Sequence, residues 1–289
     1  MFRIVLIVLI TLATGWVFAP GTQADLRQIK ESGVLRHLGI PYSNFVTGDG
    51  DGLDVEILKM YSSEIGVQYE HVQTSWEAVI SDLSGKRIIP KGDEVEIMGQ
   101  APVKGDIIGN GLTVLPWRKE VIHLSVPYFP SAIWVVARAN SDLKPIKPSG
   151  DQAQDVVLTK KLLTGRQVLG IRDTCLDPDL YNLQGCSSRY KDGLQLNDLP
   201  AAIIQGEYEL TLQDAPDALL ALANNPGKVK VIGPITEEQA MAFGISKDSP
   251  ELLESFNAFL QRLKDSGKLR ELIIKYYPLI TDYFPNVAK

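Results

Sequence analysis

The sequence predicts an α/β protein organised in two parts. Helical apolar stripes and short strand-like runs take turns along the chain, the pattern of sheets joined by crossover helices. A stretch rich in Pro, Ser, Lys and Asp at residues 140–151 separates a first such series from a second. With 45% hydrophobic and 22% charged residues among 289, the chain can bury a sizeable core. The same proportions exclude disordered, collagen-like and coiled-coil architectures.

In the first series, residues 26–33 form a short amphipathic helix closed by Gly33. Residues 34–40 read as a strand stopped by Pro41. Val55, Leu58, Tyr61 and Ile65 make one helical stripe over residues 54–65, ended by Gly66. A strand at 67–72 and a helix at 75–83 follow. Residues 86–104 hold two prolines, two glycines and mixed charge, and predict an inserted surface loop. Strands are expected at 106–114 and 131–137. In the second series, strands at 167–171, 210–212 and 228–232 alternate with helices at 199–205 and 215–223. Residues 251–277 carry Leu252, Phe256, Phe259, Leu263, Leu269 and Ile273 at helical spacing, with a break at Gly267.

Residues 1–24 read as a cleavable export signal: Arg3, an apolar run at 4–13 interrupted only by Thr11, and small residues Thr22 and Ala24 at the inspected positions. Gly15, Pro20 and Gly21 argue against one spanning helix, and no later apolar run reaches about 18 residues. Cys175 and Cys186 are the two cysteines, and an even count in an exported chain predicts a disulfide. Closing so short a loop would contribute roughly 3 kcal/mol.

The net charge of −6 offers no basic excess for a phosphate backbone, which speaks against a nucleic-acid partner. No GxSxG, HExxH, P-loop or GxGxxG motif occurs, so no catalytic centre, cofactor or metal is predicted. Asp49-Gly50-Asp51-Gly52-Leu53-Asp54 has the carboxylate density of a calcium loop. It fails at the two diagnostic places, with Asp54 where glycine is needed and Met60 where the bidentate glutamate belongs.

The stretch Gly109-Asn110-Gly111-Leu112-Thr113 with Pro116-Trp117-Arg118, followed by Ser125-Val126-Pro127-Tyr128-Phe129, resembles the periplasmic solute-binding proteins of the polar amino acid ABC-importer type, bacterial extracellular solute-binding protein family 3. Supporting segments keep the family's order: Tyr42-Ser43-Asn44-Phe45, Gly52-Leu53-Asp54-Val55-Glu56, Trp76-Glu77-Ala78, Thr211-Leu212-Gln213-Asp214 and Gly267-Lys268-Leu269. The resemblance implies the type II periplasmic-binding-protein fold, two α/β lobes joined by two hinge crossings around a ligand cleft. Lobe 1 would comprise residues 25–137 and 235–289, and lobe 2 residues 138–234.

The resemblance also implies a soluble, monomeric periplasmic receptor that delivers an amino acid or similar small zwitterion to an inner-membrane ABC permease. A zwitterion needs a guanidinium for its carboxylate and an acid for its ammonium. By position, Arg118 is the carboxylate-binding residue, with Asn110, Gly111 and Thr113 as neighbouring donors and Asp214 as the ammonium acceptor. Asp214 also suits a helix N-cap ahead of Ala215-Pro216. Thr174 matches a small hydroxyl of the second lobe, although Asp173 stands where the family usually has glycine. Tyr42, Phe45 and Trp76 match aromatics that cover the ligand or fill the core. Two alternatives are a dehydratase-like enzyme on this scaffold, for which Asp173 or Glu209 would have to supply acid/base chemistry, and a ligand-sensing accessory module.

Overall fold

A computed structural model describes residues 24–91, 94–172 and 174–288. The first part contains α1 (Leu26–Ser32), β1 (Val34–Gly39), α2 (Leu53–Ile65), β2 (Gln68–Gln73), α3 (Val79–Ser84), β3 (Lys86–Lys91), β4 (Glu94–Gln100), β5 (Ile107–Ile108), α4 (Pro116–Val121) and β6 (Ile122–Leu124). β7 (Phe129–Ser131) leads into β8 (Ile133–Arg138), α5 (Gln152–Leu162), β9 (Gln167–Leu169), β10 (Ser187–Arg189), α6 (Leu199–Ile204), β11 (Leu210–Asp214), α7 (Ala215–Asn224) and β12 (Val229–Pro234). β13 (Gln239–Met241) returns to β14 (Gly244–Ser246), and α8 (Pro250–Asp265), α9 (Lys268–Tyr276) and α10 (Ile280–Tyr283) follow.

Two five-stranded sheets result, ordered β2-β1-β5-β14-β6 and β10-β9-β11-β8-β12. Parallel pairs β1–β2, β1–β5 and β9–β11 are joined through the crossover helices that the alternating sequence supplied, whereas the parallel pair β9–β10 is joined by a loop holding only a short helical turn at Pro178–Tyr181. Each sheet also takes in an antiparallel strand from the far end of its series: β14 beside β5, and β8 between β11 and β12. The chain passes between the sheets twice, and the two passages pair with each other as the short ladder β7–β13. This is the two-lobed α/β arrangement of type II periplasmic binding proteins.

Local chemistry sets the element ends. Asp25 and Gln28 form a capping box on α1, and Gly33 closes it at φ 75°, a conformation that costs glycine little. Of the predicted stripe, α2 buries Val55, Leu58 and Tyr61 and half-buries Ile65, and it buries Leu53 and Ile57 as well; Tyr61 meets Phe256 of α8 edge-on at 4.9 Å between centroids. Each such side chain contributes roughly 1.5–3 kcal/mol by leaving water. The final helical region breaks at Gly267, which adopts φ 77° between α8 and α9.

Several expectations change. Residues 86–104 were expected as a surface loop, but β3 and β4 pair as a hairpin, with Ile88 opposite Ile97 and Pro90 opposite Val95. Exposed on a two-stranded edge, Pro90 costs no central ladder bond. The strand expected at 106–114 is regular only at Ile107–Ile108, because the chain then leaves the sheet to build the loop at 109–115. The lobe boundary expected after residue 137 falls inside β8, whose register with β11 and β12 places it in the second sheet. Residues 280–284, expected with lobe 1, reach that same strand: Trp134 stacks on Phe284 with centroids 5.5 Å apart. The predicted export signal lies outside the described residues apart from its last position, Ala24, and Asp173 is likewise not described. No helix among the described residues is long and apolar enough to cross a membrane.

Candidate functional site

Where β5 ends, residues 109–113 turn across the edge of the first sheet. His37 on β1 fixes this loop from beneath. Its Nε2 lies 2.6 Å from the Gly109 carbonyl, which can only accept, so Nε2 carries the proton. Nδ1 therefore accepts from the Tyr69 hydroxyl at 2.7 Å. Burial holds the imidazole neutral and lowers its pKa to about 3, against the opposing pull of the Gly109 carbonyl.

Asp54 holds the next link. Its Oδ2 accepts the Gly111 N–H at 2.8 Å and its Oδ1 accepts the Tyr128 hydroxyl at 2.5 Å. Burial raises the carboxyl to about 7 despite both hydrogen bonds. Gly111 sits at φ 64°, and a Cβ there would lie 2.5 Å from the Phe45 ring. The Gly111 N–H, expected as a donor to ligand, is thus already taken. Phe45, expected to cover a ligand or fill the core, is fully buried behind Gly111, with Phe129 and Tyr277 about its ring at 5.0 and 5.2 Å.

Asn110 is fully buried, and neither amide atom has a hydrogen-bond partner. Thr113 is buried beside it, and its carbonyl accepts Arg118 Nη1 at 2.6 Å, which holds the guanidinium back over its own loop. Arg118 Nε is out of contact with solvent and unpartnered. Burial lowers the guanidinium to about 10, opposed by Cys175 and Asp214. Burial and Asp214 push the Cys175 thiol upward in turn, so at neutral pH the opposing charge is Asp214 alone.

From the other sheet, Asp214 ends β11 at the start of α7. It occupies the N-cap position, but its side chain makes no capping bond. Its Oδ2 instead accepts the Tyr42 hydroxyl, from the first lobe, at 3.0 Å, and Oδ1 is buried without a partner. Burial raises this carboxyl, with Tyr42, Cys175 and Arg118 opposing. Tyr42 stacks on Phe45 at 6.0 Å and meets the half-buried Trp76 edge-on at 5.4 Å. Arg118, Asp214, Asn110, Thr113, Tyr42 and Trp76 are thereby gathered where the two lobes meet.

Two expectations are corrected. Thr174 spends its hydroxyl locally, donating to the Ile171 carbonyl at 2.8 Å and accepting the Leu176 N–H at 3.1 Å. The predicted disulfide is absent: Cys175 and Cys186 are free thiols. Cys175 Sγ is turned toward Asp214 Oδ2 at 3.5 Å, while the loop between the cysteines closes through its own bonds, among them Asp177 N–H to the Thr174 carbonyl.

Gln213 and Asp217 were not anticipated. Both are buried, Gln213 with neither amide atom partnered and Asp217 with Oδ2 unpartnered. Burial, then the Asp214 charge, raises the Asp217 carboxyl to about 7. The one sequence signal was spacing: Asp217 follows Asp214 by three residues, one helical turn.

Residues 99–278, more than half the chain, match the family described as bacterial extracellular solute-binding proteins, family 3. Over 279 residues the chain is 25% identical to a membrane-bound lytic murein transglycosylase F of Photobacterium profundum, covering 93% of this chain and 48% of the relative. It therefore spans about half the length of the first curated relatives it matches. It is also 23% identical to the L-cystine-binding protein TcyJ of Escherichia coli, over 87% of this chain and 85% of the relative. Its fold resembles holo ArgBP from T. maritima (TM-score 0.62, 23% identity, 87% and 99% of the two chains). It also resembles the ancestral amino acid-binding protein AncCDT-1, a precursor of cyclohexadienyl dehydratase (TM-score 0.65, 22% identity, 87% and 98%).

Proposed function

Because the chain belongs to the bacterial extracellular solute-binding proteins of family 3, we propose that its two lobes close on an amino acid or similar small zwitterion. Arg118 takes the ligand carboxylate, helped by the Asn110 amide and the Thr113 hydroxyl, and Asp214 takes the ammonium. The observation that carries this reading is the orphaned pair: Arg118 Nε and Asp214 Oδ1 come from different lobes, and each is buried without a partner. Leaving such groups unpaired costs about 1–3 kcal/mol each, more when charged. A molecule with an anionic and a cationic end satisfies both at once, and only while the lobes are together. Binding energy therefore favours the closed state.

In this reading Tyr42 and Trp76 wall the site, while Gly111 and Phe45 shape it from behind. The protein binds and releases its ligand unchanged, and hands it from the periplasm, where the predicted export signal would send it, to an ABC permease. Relatives named murein transglycosylase F, about twice as long, favour a second reading, in which the lobe pair senses a small murein-derived ligand for a partner activity. A thermal-shift screen of amino acids and small carboxylates tests the clamp common to both. A true ligand at one hundred times its Kd adds about 2.7 kcal/mol of apparent stability. Arg118→Ala and Asp214→Asn should each abolish that shift in a folded protein; a shift retained by both variants sinks the clamp. Loss of ligand uptake in cells deleted for this protein would favour delivery over sensing.

A further inference from the structure

Asp214 and Asp217 stand one helical turn apart, at the end of β11 and in the first turn of α7, and both are buried. The Tyr42 hydroxyl, from the first lobe, bears on both carboxyls. A phenol has one proton to donate. Tyr42 gives its proton to Asp214 Oδ2 at 3.0 Å, so toward Asp217 its oxygen is left to accept. A hydrogen bond between Tyr42 and Asp217 therefore needs a proton on the Asp217 carboxyl. Asp217 Oδ2 is buried without a partner, a position that an ionised oxygen holds only at a cost.

The other groups around Asp217 favour the acid over its anion. On the first-lobe side the Tyr277 hydroxyl accepts the Asn44 N–H at 3.0 Å and donates to Ser43 Oγ at 3.1 Å, and Ser43 in turn bears on Asp217. Cys175, in the loop after β9, is a neutral thiol, and Tyr277 is a neutral phenol. Arg118 is the cation of this group, and it acts on Asp214. Two buried carboxylates thus face one guanidinium, and buried charges are tolerated when paired. A zwitterion brings no net charge. Its carboxylate occupies Arg118 and its ammonium Asp214, and Asp217 stays unmatched unless a proton joins it.

We propose that Asp217 is a positioning residue of the clamp that acts in its protonated form, so that closing on a zwitterion takes up one proton. The proposal rests on the clamp reading and adds its pH dependence. Tyr42, Ser43 and Tyr277 belong to the first lobe and both acids to the second, so parting the lobes exposes the carboxyls to water, where Asp217 ionises. Closure buries it again, and burial with the Asp214 charge raises its carboxyl from 3.8 to about 7. The proton is taken up between those two values, so affinity falls as pH rises from the acidic side through about 7. In its protonated form Asp217 ties Tyr42 to α7, and through Tyr42 it holds the Asp214 carboxylate for the ammonium.

Isothermal titration calorimetry tests it, the probe being the standard L-amino acid, histidine excepted, that gives the largest thermal shift. At pH 6 the wild-type binding enthalpy should differ between phosphate and imidazole buffers by the heat of nearly one proton taken up. Wild-type Kd should rise roughly tenfold or more from pH 5.5 to pH 7.5. Asp217→Asn, whose amide still donates to Tyr42, should take up no proton, and its Kd should change less than threefold over that range. Asp54→Asn alters the other carboxyl raised to about 7 and should keep the wild-type slope. Circular dichroism and a thermal melt establish that each variant is folded, and the wild-type buffer comparison stands even where one is not. Equal wild-type enthalpies in the two buffers, or proton uptake undiminished in Asp217→Asn, overturn the role of Asp217 while the clamp stands. If none of these amino acids binds and Arg118→Ala changes nothing, the clamp itself fails and this role with it.

Discussion

The Tyr42 hydroxyl donates to Asp214 Oδ2 across 3.0 Å, and this bond joins a loop of the first lobe to the last residue of a strand in the second. It does two things. It aims the carboxylate, leaving Oδ1 free, and it links lobe closure to the acid proposed to hold the ammonium. Removing the hydroxyl leaves a buried carboxylate short of a donor, a loss worth about 1–3 kcal/mol. Tyr42→Phe keeps the ring contacts with Phe45 and Trp76, so the protein should still fold, with a melting temperature lowered by roughly 2–10 °C. Affinity for the ligand found by thermal shift should drop roughly 5- to 100-fold. An unchanged Kd by calorimetry would show that the bond does not organise the site.

Two buried groups beneath the loop at 109–113 titrate in opposite senses. Asp54 is raised from 3.8 to about 7 in the folded protein, so it keeps its proton where the unfolded chain has released it. Its stabilising contribution is complete below pH 4 and is lost as pH rises through about 7. His37 is lowered from 6.5 to about 3, so the unfolded chain takes up a proton that the folded chain refuses. Its contribution is complete above pH 6.5 and is lost as pH falls toward 3. Each is bounded by on the order of 4 kcal/mol. Urea unfolding at pH 4, 5.5 and 7 should show the advantage of wild type over Asp54→Asn shrinking as pH rises. Its advantage over His37→Gln should grow up to pH 6.5. Parallel profiles for wild type and either variant would remove that residue from the account, whatever the constant offset.

These buried groups show where sequence reading ends. The helices at 53–65 and 250–276 were legible because each helix writes its buried face at a period of about 3.6 residues, and Gly267 marks its own break. Membership of β8 in the second sheet was not, because its partners β11 and β12 arrive more than seventy residues later. The hairpin β3–β4 was hidden by Pro90 and nearby glycines, which are turn signals until an edge position makes them harmless. Arg118 and Asp214 were singled out through family resemblance alone, since each has a sound local explanation of its own. Gln213 became visible only with burial, and Asp217 offered the sequence reading no more than its spacing from Asp214, because being unpartnered is a property of the folded environment.

The free cysteines give a prediction at odds with the cysteine count. Cys175 Sγ points to Asp214, and the carbonyl of Cys175 accepts the Tyr181 hydroxyl, so the residue is held away from a bridging role by two contacts. Protein prepared without reductant and unfolded in denaturant should take up two alkylating labels, read by intact mass. Uptake of none, restored to two by prior reduction, would establish the bridge that this structure lacks.

Gly111 tests whether the loop is held to a single shape. It combines φ 64° with a wall of Phe45 ring atoms at 2.5–3.0 Å from where a Cβ would stand. Phe45 cannot yield readily, since its ring is packed by Phe129 and Tyr277 and is fully buried. Alanine therefore meets both the left-handed backbone penalty, about 1 kcal/mol, and an overpacking cost of about 1–3 kcal/mol. Relief would come by lifting the loop, which breaks the Gly111 N–H bond to Asp54 and moves Asn110 and Thr113 with it. Gly111→Ala should lose roughly 2–4 kcal/mol in urea unfolding and weaken ligand binding more than tenfold. Gly50→Ala, also at positive φ but with open space around its Cβ, should cost less and leave binding intact. Equal losses in the two variants would mean that backbone conformation, and not the contact with Phe45, sets the shape of the loop.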